Sequence, residues 1–140
     1  MPLRRFRPED IPTARALWQA TPGLGLSAAD EPQALRAFLA RNPATSFVAE
    51  TAGRLTGTIL VGHDGRRGLI HHLAVAEDQR RTSLGRALVE AGLAALRDQG
   101  IDKCHLMVFA DNAQGARFWT AIGATRRGEL DLYSLPTGPR

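Results

Sequence analysis

Cysteine, lysine and tyrosine occur once each in this chain, as Cys104, Lys103 and Tyr133. A single cysteine excludes an internal disulfide. Its place in the apolar stretch Cys104-His105-Leu106-Met107-Val108 marks it as a buried structural thiol. No run approaches the ~18 apolar residues that a membrane helix needs. The basic start, Met1-Pro2-Leu3-Arg4-Arg5-Phe6-Arg7, has no apolar run behind it and reads as no signal peptide, so the expected compartment is the cytoplasm. Repeats and low-complexity tracts are lacking too. Charge of one sign does not dominate: 18 basic against 14 acidic residues leave a net +4. The arginines are scattered without a stripe of stacking aromatics, so nucleic acid is not an expected partner. The pairs Arg66-Arg67, Arg80-Arg81 and Arg126-Arg127 could equally hold a small anionic ligand.

What is present is an ordinary globular balance, 44% apolar and 23% charged, in 140 residues, which fits one domain over 1–140. The pattern predicts a first strand at Leu3 to Arg7, then a helix capped by Asp10 and running to about Ala20. A second helix starts at Ser27 or Asp30, carries Ala34, Leu35, Phe38 and Leu39, and closes at Asn42-Pro43. Ser46 to Glu50 and Leu55 to Val61 flank a short loop with Gly53, a hairpin signature. After a turn at His63 to Gly68, the apolar run Leu69 to Val75 reads as a mostly buried strand. A helix from about Ser83 to Gln99 follows, with Leu84, Ala87, Leu88, Ala91 and Ala95 on one face and Gly100 at the C′ position. With the strand Lys103 to Phe109 it makes a βαβ unit with parallel strands. A last helix, Asn112 to Ile122, ends at Gly123, and a strand pair, Ala124 to Glu129 with Leu130 to Leu135, closes the fold.

Most of the chemistry lies in Gln79-Arg80-Arg81-Thr82-Ser83-Leu84-Gly85-Arg86-Ala87-Leu88. A helix start leaves unpaired N–H groups and about half a positive charge, which stabilise an anion such as a pyrophosphate. Small residues at Ser83 and Gly85 let the backbone approach phosphate oxygens, and Arg80, Arg81 and Arg86 add countercharge. Alone, the segment could be an ordinary basic loop.

The run Leu73-Ala74-Val75 through Gln79-Arg80-x-x-Ser83-Leu84-Gly85-Arg86 resembles the acetyl-CoA signature of the GNAT superfamily of N-acetyltransferases. Asn112-x-x-Gly115-x-x-Phe118-Trp119-x-x-Ile122-Gly123 resembles that family's second motif, and the resemblance covers nearly the whole chain. It implies an α/β fold with a mixed, mostly antiparallel central sheet, helices on both faces and the parallel βαβ unit at the cofactor site. It implies acetyl-CoA as the acetyl donor, no metal, and a primary amine of a small molecule or protein as acceptor. A homodimer is common among such domains, but no interface is legible. By resemblance, the Leu73, Ala74 and Val75 backbone meets the pantetheine arm. Arg80, Arg81, Thr82, Ser83, Leu84, Gly85 and Arg86 hold the pyrophosphate, and Asn112 binds the cofactor arm between two splayed parallel strands. Three positions depart from the pattern. Ser83 replaces the first motif glycine, Glu77 and Arg81 stand where proline and glycine are frequent, and Trp119 replaces a tyrosine that often protonates the departing thiolate. Indole has no useful acidity, which leaves Trp119 a packing role at the cofactor site.

Acetyl transfer to an amine calls for a base tuned near the working pH. The ribosomal-protein alanine acetyltransferases carry a glutamate where this chain has Met107. Aralkylamine acetyltransferases carry a histidine that matches His71. Strand alternation sends His71 and His72 to opposite faces, and the match favours His71 as base, against a strand histidine without a role. His63 and His105 are read as incidental, and Tyr133 is the only phenol available as proton donor. An alternative reading is a family member that binds acyl-CoA without turnover.

Overall fold

Along Arg54–His63 successive side chains are claimed by different helices, and that alternation sets the layers. This strand, β3, is the centre of a five-stranded sheet of order β1-β2-β3-β4-β5. Its companions are β1 (Leu3–Arg5), β2 (Phe47–Thr51), β4 (Gly68–Val75) and β5 (Cys104–Leu106). The computed structural model describes residues 2–139, which divide into two compact units, one ending at Phe109 and the other starting at Ala110. The sheet belongs to the first unit. All its pairings are antiparallel except the parallel β4–β5, so the mixed, mostly antiparallel sheet expected from the sequence is the one that forms.

One face carries α1 (Ile11–Gln19) and α2 (Pro32–Arg41). Ile11, Ala14, Trp18, Leu35 and Leu39 bury themselves there with Phe6, Val48, Leu60 and Ala74. Each large apolar side chain so buried contributes about 1.5–3 kcal/mol. The Trp18 indole N–H donates to the Thr58 hydroxyl at 2.9 Å, so this fully buried ring leaves no donor unpaired. The opposite face carries α3 (Leu84–Asp98), with Leu84, Leu88, Val89 and Leu96 buried. It lies over Ile59 and Val61, so close that a methyl on Gly92 would come 3.1 Å from Val61 Cγ2. The helix stops as a Schellman motif: Gly100 at φ +80°, its N–H on Arg97 C=O at 2.9 Å, and the Ile101 N–H on Leu96 C=O at 3.0 Å.

The structure moves several expected boundaries for identifiable reasons. β1 ends at Arg5 because the chain enters a 3-10 turn, Pro8–Asp10, in which Asp10 accepts the Arg7 N–H at 2.8 Å. The Arg4 guanidinium holds both Asp10 oxygens at 2.8 Å and keeps that carboxylate below its usual range despite partial burial. Asp10 therefore caps the turn before α1. Ser27 and Asp30 likewise cap one another across a 3-10 turn, and α2 begins at Pro32, whose missing N–H costs nothing at N1. Cys104 is half-buried, and burial pushes its thiol up, away from the reactive thiolate.

The closing strand pair expected over 124–129 and 130–135 does not form. Among the described residues no strand follows β5. The second unit holds α4 (Ala113–Ala121) and then a turn, with the Leu130 N–H on Arg127 C=O at 3.1 Å. Leu130, Leu132, Tyr133 and Leu135 are 61–88% exposed, and the adjacent pair Leu132-Tyr133 breaks the period of two that would put them on one face. Alternation fixes a strand only where one face is covered, and a lone hairpin is marginal.

Candidate active site

The two ends of β4 are used differently. Gly68, Leu69 and Ile70 pair with Cys104, His105 and Leu106 on one edge and with His63, Gly62 and Val61 on the other. From His71 onward β5 pairs no further, and the two parallel strands part. The Ala76 N–H donates to Thr56 C=O at 2.8 Å. By the alternation of an antiparallel ladder, His72 and Ala74 also direct their backbone groups to β3, whereas Leu73 and Val75 direct theirs to the open edge. The Val75 carbonyl there accepts Arg80 Nε at 3.1 Å. Among the described residues no strand pairs with the remaining polar groups of Leu73 and Val75 on that side.

That edge leads into the turn before α3. A 3-10 turn, Glu77–Gln79, follows β4, and α3 opens at Leu84. Arg81 stands at φ +64°, in the left-handed region where an L residue sits at a cost of about 1–2 kcal/mol. This is the position at which the resembled motif frequently has glycine, so the loop keeps the glycine conformation while gaining a cation. Ser83 has φ −87°, so serine in the first motif-glycine position carries no strain. Its hydroxyl makes no cap bond. The Thr82 hydroxyl donates to Gln79 C=O at 2.7 Å and accepts the Leu84 N–H at 3.2 Å, fixing the turn from within. The next N–H groups, of Gly85 and Arg86, belong to a first helical turn and have no partner inside the helix. Arg80, Arg81 and Arg86 are exposed, and among the described residues none is in an ion pair.

The two β4 histidines correct the sequence expectation. Leu60 pairs with His72 and Val61 with Ile70, so His71 is the extra residue of a β-bulge. The bulge breaks strict alternation, and both imidazoles turn toward the helices of one face. His71 meets Phe38 of α2 edge-on at 5.3 Å, while His72 lies on Trp18 of α1 at 4.7 Å. His71 remains exposed as a residue and lines a cleft of about 420 Å³. Enough chain surrounds its ring that desolvation pushes its pKa below the ordinary value, with His72 adding to the shift and Asp30 opposing it. His72 is held by Asp30: Nε2 to Oδ1 is 2.7 Å, with both side chains 10% exposed. Asp30 uses its other oxygen on the Ser27 N–H at 3.0 Å. This pair ties β4 to the loop before α2.

In the second unit, Asn112 is the N-cap of α4, its Oδ1 accepting the Gly115 N–H at 2.9 Å. A Cβ on residue 115 would stand 2.6 Å from Asn112 Nδ2, so glycine at the fourth motif position makes room for the cap. Trp119 packs edge-on against Phe118 at 5.1 Å and is half-buried. Tyr133 is 88% exposed and outside any regular element.

Comparison with known proteins decides the family. Residues 12–124 match the model described as acetyltransferase (GNAT) family. The chain belongs to the GNAT acetyltransferase family. An acetyltransferase of Sodalis glossinidius is 33% identical over 112 residues, covering 80% of this chain and 78% of that protein. A mycothiol acetyltransferase of Thermobispora bispora is 39% identical over 92 residues, 61% of this chain, which spans only 31% of that relative's length. Among solved structures, Ard1 from Thermoplasma volcanium superposes with a TM-score of 0.73 at 27% identity, covering 87% of this chain and 80% of its own. A Mycobacterium tuberculosis protein solved with CoA has a TM-score of 0.67 at 21% identity, covering 84% and 70%, and shows the fold alone.

For a GNAT chain, the β4 edge, the parting of β4 from β5 and the turn to α3 are the elements the resemblance led one to expect, and the first unit assembles them. The Asp30–His72 pair was not foreseen. Its only signal in the sequence was the capping spacing Ser27-x-x-Asp30, which says nothing of a partner 42 residues away. Among the described residues no group of His, Cys, Asp and Glu is placed to hold a metal, and no helix is long and apolar enough to cross a membrane.

Proposed function

We propose that the chain transfers an acetyl group from acetyl-CoA to a primary amine of a small molecule or protein, with residues 1–140 working as one domain. The family match runs unbroken across the junction of the two units and supports this reading. The observation that carries it is the open edge of β4 beyond His71, continuous with a helix start flanked by three arginines that are in no ion pair among the described residues. Acetyl-CoA, when bound, supplies the activated thioester. Leu73 and Val75 offer backbone hydrogen bonds along the pantetheine arm, and one such N–H polarises the acetyl carbonyl. Gly85 and Arg86 N–H groups and the Arg80, Arg81 and Arg86 side chains hold the pyrophosphate, with Thr82, Ser83 and Leu84 shaping the turn. Ala74 anchors β4 in the core beneath. By the resemblance, Asn112 and Trp119 of α4 are also assigned to the cofactor.

His71 takes the amine's proton, since its ring lines a cleft and its lowered pKa keeps it neutral at working pH. As the new N–C bond forms and the C–S bond breaks, the Tyr133 hydroxyl, the chain's only phenol, protonates the departing sulfur. Binding of acyl-CoA without turnover is the second reading, favoured by the exposure of Tyr133 outside any strand. Release of free CoA thiol with a panel of amines, polyamines, aminoglycosides, amino acids and peptides separates the two. Acetyl-CoA binding without thiol release from any of them would leave the second reading.

A further inference from the structure

The cleft beside His71 is walled by Arg41 and Asn42 at the end of α2, Arg67 at the β3–β4 turn, His105 on β5, and Phe38. Asn42 is only 6% exposed. Its Oδ1 accepts the His63 N–H at 3.1 Å, which fixes the orientation of the amide. The NH₂ end has no acceptor among the described residues, yet no sealed-off polar side-chain atom among them lacks a partner, so this NH₂ group opens into the cleft it lines. Gly62 keeps the approach clear, because a Cβ there would stand 2.8 Å from Asn42 Nδ2 and 2.6 Å from the Phe38 ring.

Two guanidinium groups, of Arg41 and Arg67, stand around this donor, against one carboxylate, that of Asp64. Arg41 is exposed and in no ion pair among the described residues. Arg67 Nη1 touches the Arg66 carbonyl at 3.0 Å and Asp102 at 3.3 Å, and that aspartate is 86% exposed. The carboxylate on the cleft wall, Asp64, turns one oxygen, Oδ1, to its own loop. It accepts the Arg67 and Arg66 N–H groups at 2.9 and 2.8 Å, and these hold it below the usual carboxylate range. His63 is committed as well, with Nδ1 accepting the Gly65 N–H at 3.0 Å and Nε2 on Gln99 at 2.7 Å. An anionic oxygen finds a buried amide donor and two guanidinium groups, the donor set that suits a carboxylate.

We propose that this cleft binds the carboxylate of the acceptor, so that the substrates are amines that also carry a carboxylate, as free amino acids do. The carboxylate sits against Asn42 Nδ2 between Arg41 and Arg67, the side chain lies along Phe38, and the amine faces His71. The assignment rests on the acetyl-transfer reading above, and its test is built to fail separately from it.

Matched pairs decide it: phenylalanine against phenethylamine, and histidine against histamine, each measured by CoA thiol release. The amino acid should exceed its decarboxylated partner in kcat/KM by about ten- to hundredfold, the weight of one hydrogen bond to a charged group. Arg41→Gln, and more so Arg41→Gln with Arg67→Gln, should collapse that ratio toward one while the thermal shift produced by acetyl-CoA persists. In parallel, saturation-transfer NMR of the same four compounds with the CoA-bound protein reads binding without turnover and should show contact with the amino acids only. Equal turnover of both members of each pair, or a preference indifferent to the arginines, overturns the carboxylate assignment and leaves acetyl transfer standing. Thiol release from no amine overturns transfer, and the NMR contrast, present or absent, still decides the cleft.

Discussion

The first three residues of β4 and the last five share one strand but not one role. Gly68 to Ile70 have partners on both edges, whereas His72 to Val75 are paired only to β3 and His71, the bulge residue, to neither neighbour. The first stretch closes the sheet. The second withholds half of its backbone groups from it, next to a bulge and just before a helix start. On the proposed reading, this edge beside a cationic turn is where the cofactor arm pairs. The two histidines repeat the contrast in miniature: His72 is committed to Asp30, and His71 is left facing a cleft.

The largest expected effect lies at the end of the open stretch. Gly85→Val places a β-branched side chain at the helix start, where the pyrophosphate must approach, and should abolish acetyl-CoA binding by titration calorimetry while the protein still folds. Normal binding by this variant would detach the turn from the cofactor. Next comes His71→Gln, which should lower kcat by roughly a hundredfold, as loss of a general base does. The wild-type pH–rate profile should show an acidic limb below about 6.5, because the His71 pKa lies below its ordinary value, and the variant should lose that limb. Stability follows the same sign. Since the folded state binds this proton less readily than the unfolded chain, stability is full above the unfolded pKa and declines as pH falls through it, and His71→Gln should flatten that decline. Smaller still, and on stability rather than turnover, is Asp30→Asn. Weakening a buried hydrogen bond to a charged group should cost about 1–3 kcal/mol in urea unfolding, with His72→Gln similar and not additive to it. Additive losses would mean that the two side chains do not act as a pair.

Local features were legible and register was not. The turn into α3 and its Schellman stop depend on residues within a few positions of one another, and both were readable from Ser83, Gly85 and Gly100. Ser27-x-x-Asp30 was readable as a cap, but which element it capped depended on Pro32. The pointing of His71 and His72 depended on a bulge, which is a property of two strands together, so alternation along one strand gave the wrong faces. The apolar residues of Leu130 to Leu135 built no strand, because pairing needs a covered face that the sequence alone does not supply. Asn112 was legible as a motif residue, whereas the reason for Gly115 beside it appears only once the cap is formed.

Differential scanning calorimetry with acetyl-CoA, set against free adenosine, tests the central claim most directly. The pyrophosphate and pantetheine contacts at the turn and the open β4 edge predict a gain of about 2.7 kcal/mol at a hundredfold excess over Kd for acetyl-CoA, and much less for adenosine. No shift with saturating acetyl-CoA, or an equal shift with adenosine, would contradict the account.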